Sequence, residues 1–183
     1  MRSLRSVAPV LLSILFAFAP FTPHLLAQKN KPEPLTEAQV DEIAEAGIDP
    51  NQRVILYTKF LNDRADTIKS LTSRSKSPAR AKRIDDELQN LTALMDEFGT
   101  NLDVYSDRHA DIRKALKPLP DETQKWLGIL RALIGEPSFD EARKEAIESG
   151  EDLADQAKRL LAEQTEYFNL HKDEQHQDRA EPK

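Results

Sequence analysis

The chain has 183 residues and no cysteine. That absence excludes a disulfide scaffold, a thiol nucleophile, a zinc finger, an iron–sulfur cluster and c-type haem attachment. Glycine is scarce as well, at five residues. So few cannot supply the tight turns of a β-rich fold or several phosphate-cradling loops. No segment alternates apolar and polar residues with a period of two, which excludes a sheet. No long-period repeat is visible. A bundle haem is disfavoured too, because Met95 and His109 lie far apart on one helix and no CxxCH exists. No cofactor is called for.

What is present begins with an address. Arg2 and Arg5 precede an uncharged apolar run from Val7 to Ala19, broken afterwards by Pro20 and Pro23 and closed by Leu25-Leu26-Ala27. A positive start, a short apolar stretch and a small residue at the boundary describe a secretory signal peptide over residues 1–27. The run is too short for a comfortable permanent membrane span. Removing residues 1–27 takes away two arginines and no acidic residue, moving the formal net charge from −6 to −8. The expectation is an exported protein, periplasmic or extracellular, with no general attraction for nucleic acid.

Residues 28–34 are polar with two prolines and read as a disordered linker. Residues 35–172 read as an all-α antiparallel helical bundle of four to five helices, two of them long. The first helix opens at Thr36, with Gln39 placed to complete a capping box, and closes at Gly47. Asp49-Pro50 and Ser77-Pro78 open the second and third, each a capping side chain followed by proline in the first turn. In the third, Ile84, Leu88, Leu91, Met95, Phe98, Leu102, Tyr105, His109, Ile112 and Leu116 keep alternating steps of four and three, the seam of coiled-coil-like packing. That phase survives Gly99 and implies one helix of about 60 Å. Pro118 and Pro120 stop it. The fourth runs from about Asp121 to Ile134, with Trp126, Leu127, Leu130, Leu133 and Ile134 inward. The second and fourth are expected to lie antiparallel along the two halves of the third.

The fifth helix, opened by a capping box at Ser138, carries apolar rows as far as Phe168. Its second half needs a partner: either a bend at Gly99 or Gly150, or a second chain, making a homodimer or another protein partner on this helix the expectation. Residues 173–183 read as a polar disordered tail.

Several residues could carry chemistry. His109 on the seam beside Tyr105 reads first as a hydrogen-bonded core or rim residue; a Ser106–His109 hydrolase lacks the strained turn that exposes such a serine. Asp103, Asp107 and Asp111 stand at i, i+4 and i+8, a carboxylate ladder that could hold a divalent cation weakly, or simply be neutralised by neighbouring cations. His171, Asp173, Glu174 and His176 form a second metal candidate. The strongest charge feature is Lys69, Arg74, Lys76, Arg80, Lys82 and Arg83, with no acidic residue between its ends. It is either a solvated turn meeting the acidic first helix or a docking point for an anionic envelope component or acidic protein. Having no aromatic, it is not a nucleic-acid platform.

Leu35-Thr36-Glu37-Ala38-Gln39 resembles the LTxxQ pattern of the periplasmic stress-chaperone family, over five residues and in a single copy. That resemblance implies an exported, all-helical, curved chaperone. The expected role is non-enzymatic, structural or interaction-based, in the cell envelope; a chaperone or a metal-binding protein are the alternatives.

Overall fold

The computed structural model describes residues 32–175, so the expected signal peptide and residues 176–183, His176 included, lie outside the described residues. Among the described residues the chain is helical throughout, without a strand. The helices are α1 (Glu37–Glu45), α2 (Pro50–Thr72), α3 (Pro78–Asp107), the single turn α4 (Arg113–Leu116), α5 (Leu119–Ala132) and α6 (Asp140–Leu170), followed by a 3₁₀ turn at Lys172–Glu174. None of these helices is long and apolar enough to cross a membrane.

The local start signals work as their chemistry dictates. Thr36 and Gln39 form the reciprocal capping box. Asp49 accepts from Asn51 and Gln52 amides, and Ser77 from that of Arg80, each just ahead of a first-turn proline. Gly47 closes α1 at φ +61°, a conformation glycine adopts without a Cβ clash.

Four helices enclose the core. Tyr57 bonds Glu97 and Arg64 bonds Glu87, so α2 and α3 run antiparallel. Arg131 and Glu151 pair across the antiparallel α5 and α6. Asp96 meets Ser149, Gly99 meets Gln156 and Ala110 meets Gln164, so α3 and α6 run parallel. The apolar rows face inward as their spacing requires, from Val54 through Leu71 on α2, Ile84 through Tyr105 on α3 and Ala146 through Phe168 on α6. Gly150 lets α6 approach closely: a Cβ there would stand 3.0 Å from the Leu127 side chain. α6 remains one helix through Gly150, and α3 through Gly99.

The third helix is shorter than its seam implies. It ends at Asp107, and Ile112 and Leu116 are buried from a separate turn and from α4. The stop is a Schellman closure. His109 takes φ +53°, its amide bonds Ser106 O at 2.9 Å, and the Ala110 amide bonds Tyr105 O at 2.9 Å. Histidine occupies the position usually held by glycine. This early stop redirects the chain. Residues 108–118 cross the bundle end, where the Asn51 side chain bonds Asp111 O at 2.8 Å and the Ala115 amide at 3.2 Å. α5 therefore emerges beside α2, and its backbone nowhere approaches that of α3 within 8 Å. The expected placement of the fourth helix along the second half of the third is corrected accordingly.

Two ends also differ from expectation. α5 begins at Leu119 with Pro120 in its first turn, so the second proline starts a helix instead of stopping one. Ser138 makes no cap; Phe139 precedes α6 with a buried ring, and its amide and that of Asp140 bond Glu136 O. Burial of the ring fixes the backbone there. Leu133 leaves α5 in an extended conformation, which turns Ile134 out to 79% exposure.

Candidate functional site

The bundle end built by residues 108–118 and the second half of α6 gathers the most unusual polar geometry. Gln164, buried in α6, accepts from the Ile112 amide at 3.1 Å and donates to Ala110 O at 3.0 Å. Leaving those backbone groups unpaired in the core would be costly, so this glutamine stabilises the crossing. The buried Asp111 carboxylate takes a two-pronged contact from Arg113, Nε at 2.8 Å and a terminal nitrogen at 2.7 Å. That hydrogen bond holds the Arg113 guanidinium above its ordinary range. Arg113 also lies over the Phe168 ring, 4.6 Å from its centre.

His109 is exposed and off the seam. Its ring stacks on Tyr167 at 4.3 Å, and His171 stacks on the same tyrosine at 4.2 Å. The two histidines are on separate elements at Tyr167, which bonds Glu174 at 2.7 Å through its hydroxyl. Leu160, Gln164 and Phe168 are buried, so the second half of α6 finds packing partners within its own chain.

The metal candidates are dispersed. Asp103 accepts from Gln156 at 2.7 Å, and Asp111 lies beyond the helix end, so the three aspartates do not share one helical edge. Among the described residues no group of three or more His, Asp or Glu side chains is placed to hold an ion.

The basic run divides. Arg80 reaches back to Leu71 O at 3.0 Å and pairs with Glu136 at 3.2 Å, and Lys76 joins the same carboxylate at 3.4 Å. The hydrogen bond from Arg80 holds Glu136 below the ordinary carboxylate range. Its acidic partner is thus the loop after α5, while α1 sends Glu42 to Lys59 instead. Lys82 pairs with Asp86. Arg74 and Arg83 line a polar dish with Asp63, Asp66 and Ser70, and Lys69 lines a different groove.

That second groove lies between α2 and α5 and has a volume of about 860 Å³. Ala65, Trp126, Ile129 and Leu133 line it, with Lys69 and Lys125 among its polar residues. The Trp126 ring is buried, its indole N–H held by Asn62 at 2.7 Å. A further surface follows the outer side of α6. Leu161 and Thr165 are common to a 640 Å³ groove running to Leu170 and a 470 Å³ groove beside Lys114 and Lys117. The α2–α5 groove and the groove beside Lys114 do not stand out in the amino-acid order, because each needs separate elements brought together, whereas the 640 Å³ groove lies on α6 alone.

Between α2 and α3, burial and the adjacent Glu97 carboxylate push the Tyr57 hydroxyl well above its ordinary range. The nearby Tyr105 hydroxyl and Arg53 Nε are buried without a hydrogen-bond partner among the described residues. Compared with known proteins, the chain matches no family model, no curated protein and no solved structure.

Proposed function

We propose that the chain is an exported helical-bundle protein that acts by binding, not catalysis, in a structural or protein-interaction role in the cell envelope. Export is supported by the positive start, apolar run and small-residue boundary of residues 1–27. One observation carries the binding reading: the buried Gln164 and the half-buried Asn51, Asn62 and Gln156 are turned onto the fold itself. Gln164 holds the crossing, Asn51 ties α2 to it, Asn62 holds Trp126 and Gln156 ties α6 to Gly99 O. A catalytic site requires differently typed polar groups converging on a substrate position. These groups converge on backbone and on one another, which leaves outer helix faces and grooves as the surfaces offered to other molecules.

A fusion of the full chain to a phosphatase active only outside the cytoplasm tests the export half. Activity that disappears when residues 1–27 are deleted supports the reading; activity confined to neither form contradicts it.

A chaperone-like role is the second reading, favoured by the apolar patch of Ala65, Trp126, Ile129 and Leu133 in the α2–α5 groove, rimmed by polar and charged residues. Its occupant would be an apolar stretch of a non-native protein. Light scattering from an aggregating client, with the wild type and a groove-filling Gly128→Gln variant, decides it. Suppression by the wild type alone supports this role, and equal scattering with and without the protein excludes it.

A further inference from the structure

We propose that the chain pairs with a second copy of itself, α1 of each copy docking on the α4–α6 face of the other. The inference rests on the interaction reading above and names one partner for it.

The donor face is α1. No residue of this helix is buried, and its backbone approaches only α2. Ile43 packs toward the core and Glu42 pairs with Lys59, which fixes the inner side. The outer side carries Val40 and Ala44, followed by Ile48 in the exit turn, with Val40 at 50% and Ile48 at 69% exposure. Glu37, Asp41 and Glu45 flank this stripe, all exposed, and residues 32–49 contain no arginine or lysine. The stripe is therefore apolar with an acidic edge.

The acceptor face is the converse. Leu161, Ala162, Thr165 and Leu170 line one shallow groove on α6, with Leu161 half-buried against the core and Leu170 at 76% exposure. Lys114 of α4 and Lys117, which follows that turn, border it, and neither has an ion-pair partner within 4 Å among the described residues. Lys158 borders it too, paired with Asp155 at 3.4 Å; the acidic residues in the lining are Glu166 and Asp111, the latter paired with Arg113. Apolar stripe meets apolar groove, and acidic edge meets basic border.

A single chain does not close this contact on itself. α1 is held on α2, and the segment before it is strapped by Arg64, which donates to Glu33 O at 3.0 Å and Pro34 O at 2.8 Å. Both faces sit at the same end of the bundle, because Asn51, one turn beyond α1, also lines the acceptor groove. Two copies related by a twofold axis at that end make both contacts at once, the closed arrangement commonest among oligomers.

The test is sedimentation equilibrium of the chain from residue 28 onward, at low salt and up to about 200 µM, enough to populate a dimer with Kd near 10⁻⁴ M. Two charge-reversed variants accompany it, Lys114→Glu/Lys117→Glu and Asp41→Lys/Glu45→Lys. All four positions are exposed, and lysine in the last turn of α1 suits the helix dipole, so unchanged circular dichroism is expected. The proposal expects a wild-type dimer that salt weakens, each variant monomeric alone, and a 1:1 heterodimer when the two are mixed. A monomeric wild type overturns it. So does a dimer that survives both reversals, or variants that stay monomeric on mixing. Any of these leaves the broader interaction reading standing, because capture of a different envelope protein tests that separately.

Discussion

Gln164 and Ile112 are 52 positions apart, yet the glutamine carbonyl accepts the isoleucine amide at 3.1 Å inside the core. Its amide nitrogen donates to Ala110 O in the same grip. The stop at the end of α3 and the crossing that places α5 beside α2 both depend on this side chain.

Gln164→Leu keeps the volume and removes both bonds. Two buried backbone groups then lose their partners, a loss of roughly 2–6 kcal/mol in unfolding free energy at 1–3 kcal/mol per unsatisfied group. Urea denaturation checks this; a change below about 0.5 kcal/mol, the surface-substitution range, contradicts it.

His109 gives a sharper comparison. Its backbone stands at φ +53°, where a Cβ costs on the order of 1 kcal/mol and glycine nothing. His109→Ala keeps that cost and loses the stack on Tyr167. His109→Gly loses the stack but relieves the backbone. The glycine variant should be the more stable of the two by about 1 kcal/mol, read from paired melting curves. Equal stabilities would mean the left-handed turn carries no strain.

These two residues also mark where the sequence stops being legible. The helix starts at Asp49-Pro50, Ser77-Pro78 and Thr36 were readable because a cap acts over three residues. The inward rows were readable because they follow from helical periodicity. The end of α3 was not, since no glycine or proline marks it and the apolar phase continues to Leu116. The helix ends in a left-handed histidine, and what braces that turn lies in α6, in Gln164 and Tyr167. The basic run behaved likewise: Arg80 and Lys76 turn toward Glu136, a partner far along the chain that charge counting assigns to α1.

The Glu136 pair sets an acid response. Its pKa is depressed below the ordinary 4.5 by the Arg80 hydrogen bond first, with Lys76 also lowering it. A depressed folded pKa means the stabilisation is present above the unfolded value and is lost as pH falls through the folded one. Stability should therefore decline from about pH 4.5 downward, and Glu136→Gln should flatten that decline while leaving its slope near pH 7 unchanged. Denaturation midpoints across acidic pH measure it; an unchanged acid slope in the variant rules the pair out as a contributor.

Trp126 is the single tryptophan, and its indole N–H is held by Asn62. Asn62→Leu leaves that buried donor unsatisfied, costing about 1–3 kcal/mol. Tryptophan emission should shift with the loss of the bond, and an unaltered spectrum and midpoint would contradict the assignment.

Gly128 sits in the interior of α5, and a Cβ placed there meets nothing within 4 Å. Gly128→Ala should stabilise the bundle by about 0.5–1 kcal/mol through helix propensity alone. A destabilised alanine variant would mean that the α2–α5 groove has less space than described.

The most direct test of an exported binding protein is a photo-crosslinker at the exposed Ala162, introduced into the full chain in the cell that makes it. After irradiation and fractionation, intact mass should show a chain beginning at Gln28 in the extracytoplasmic fraction, joined to another protein or to a second copy. A full-length, uncrosslinked chain recovered from the cytoplasm would contradict the account.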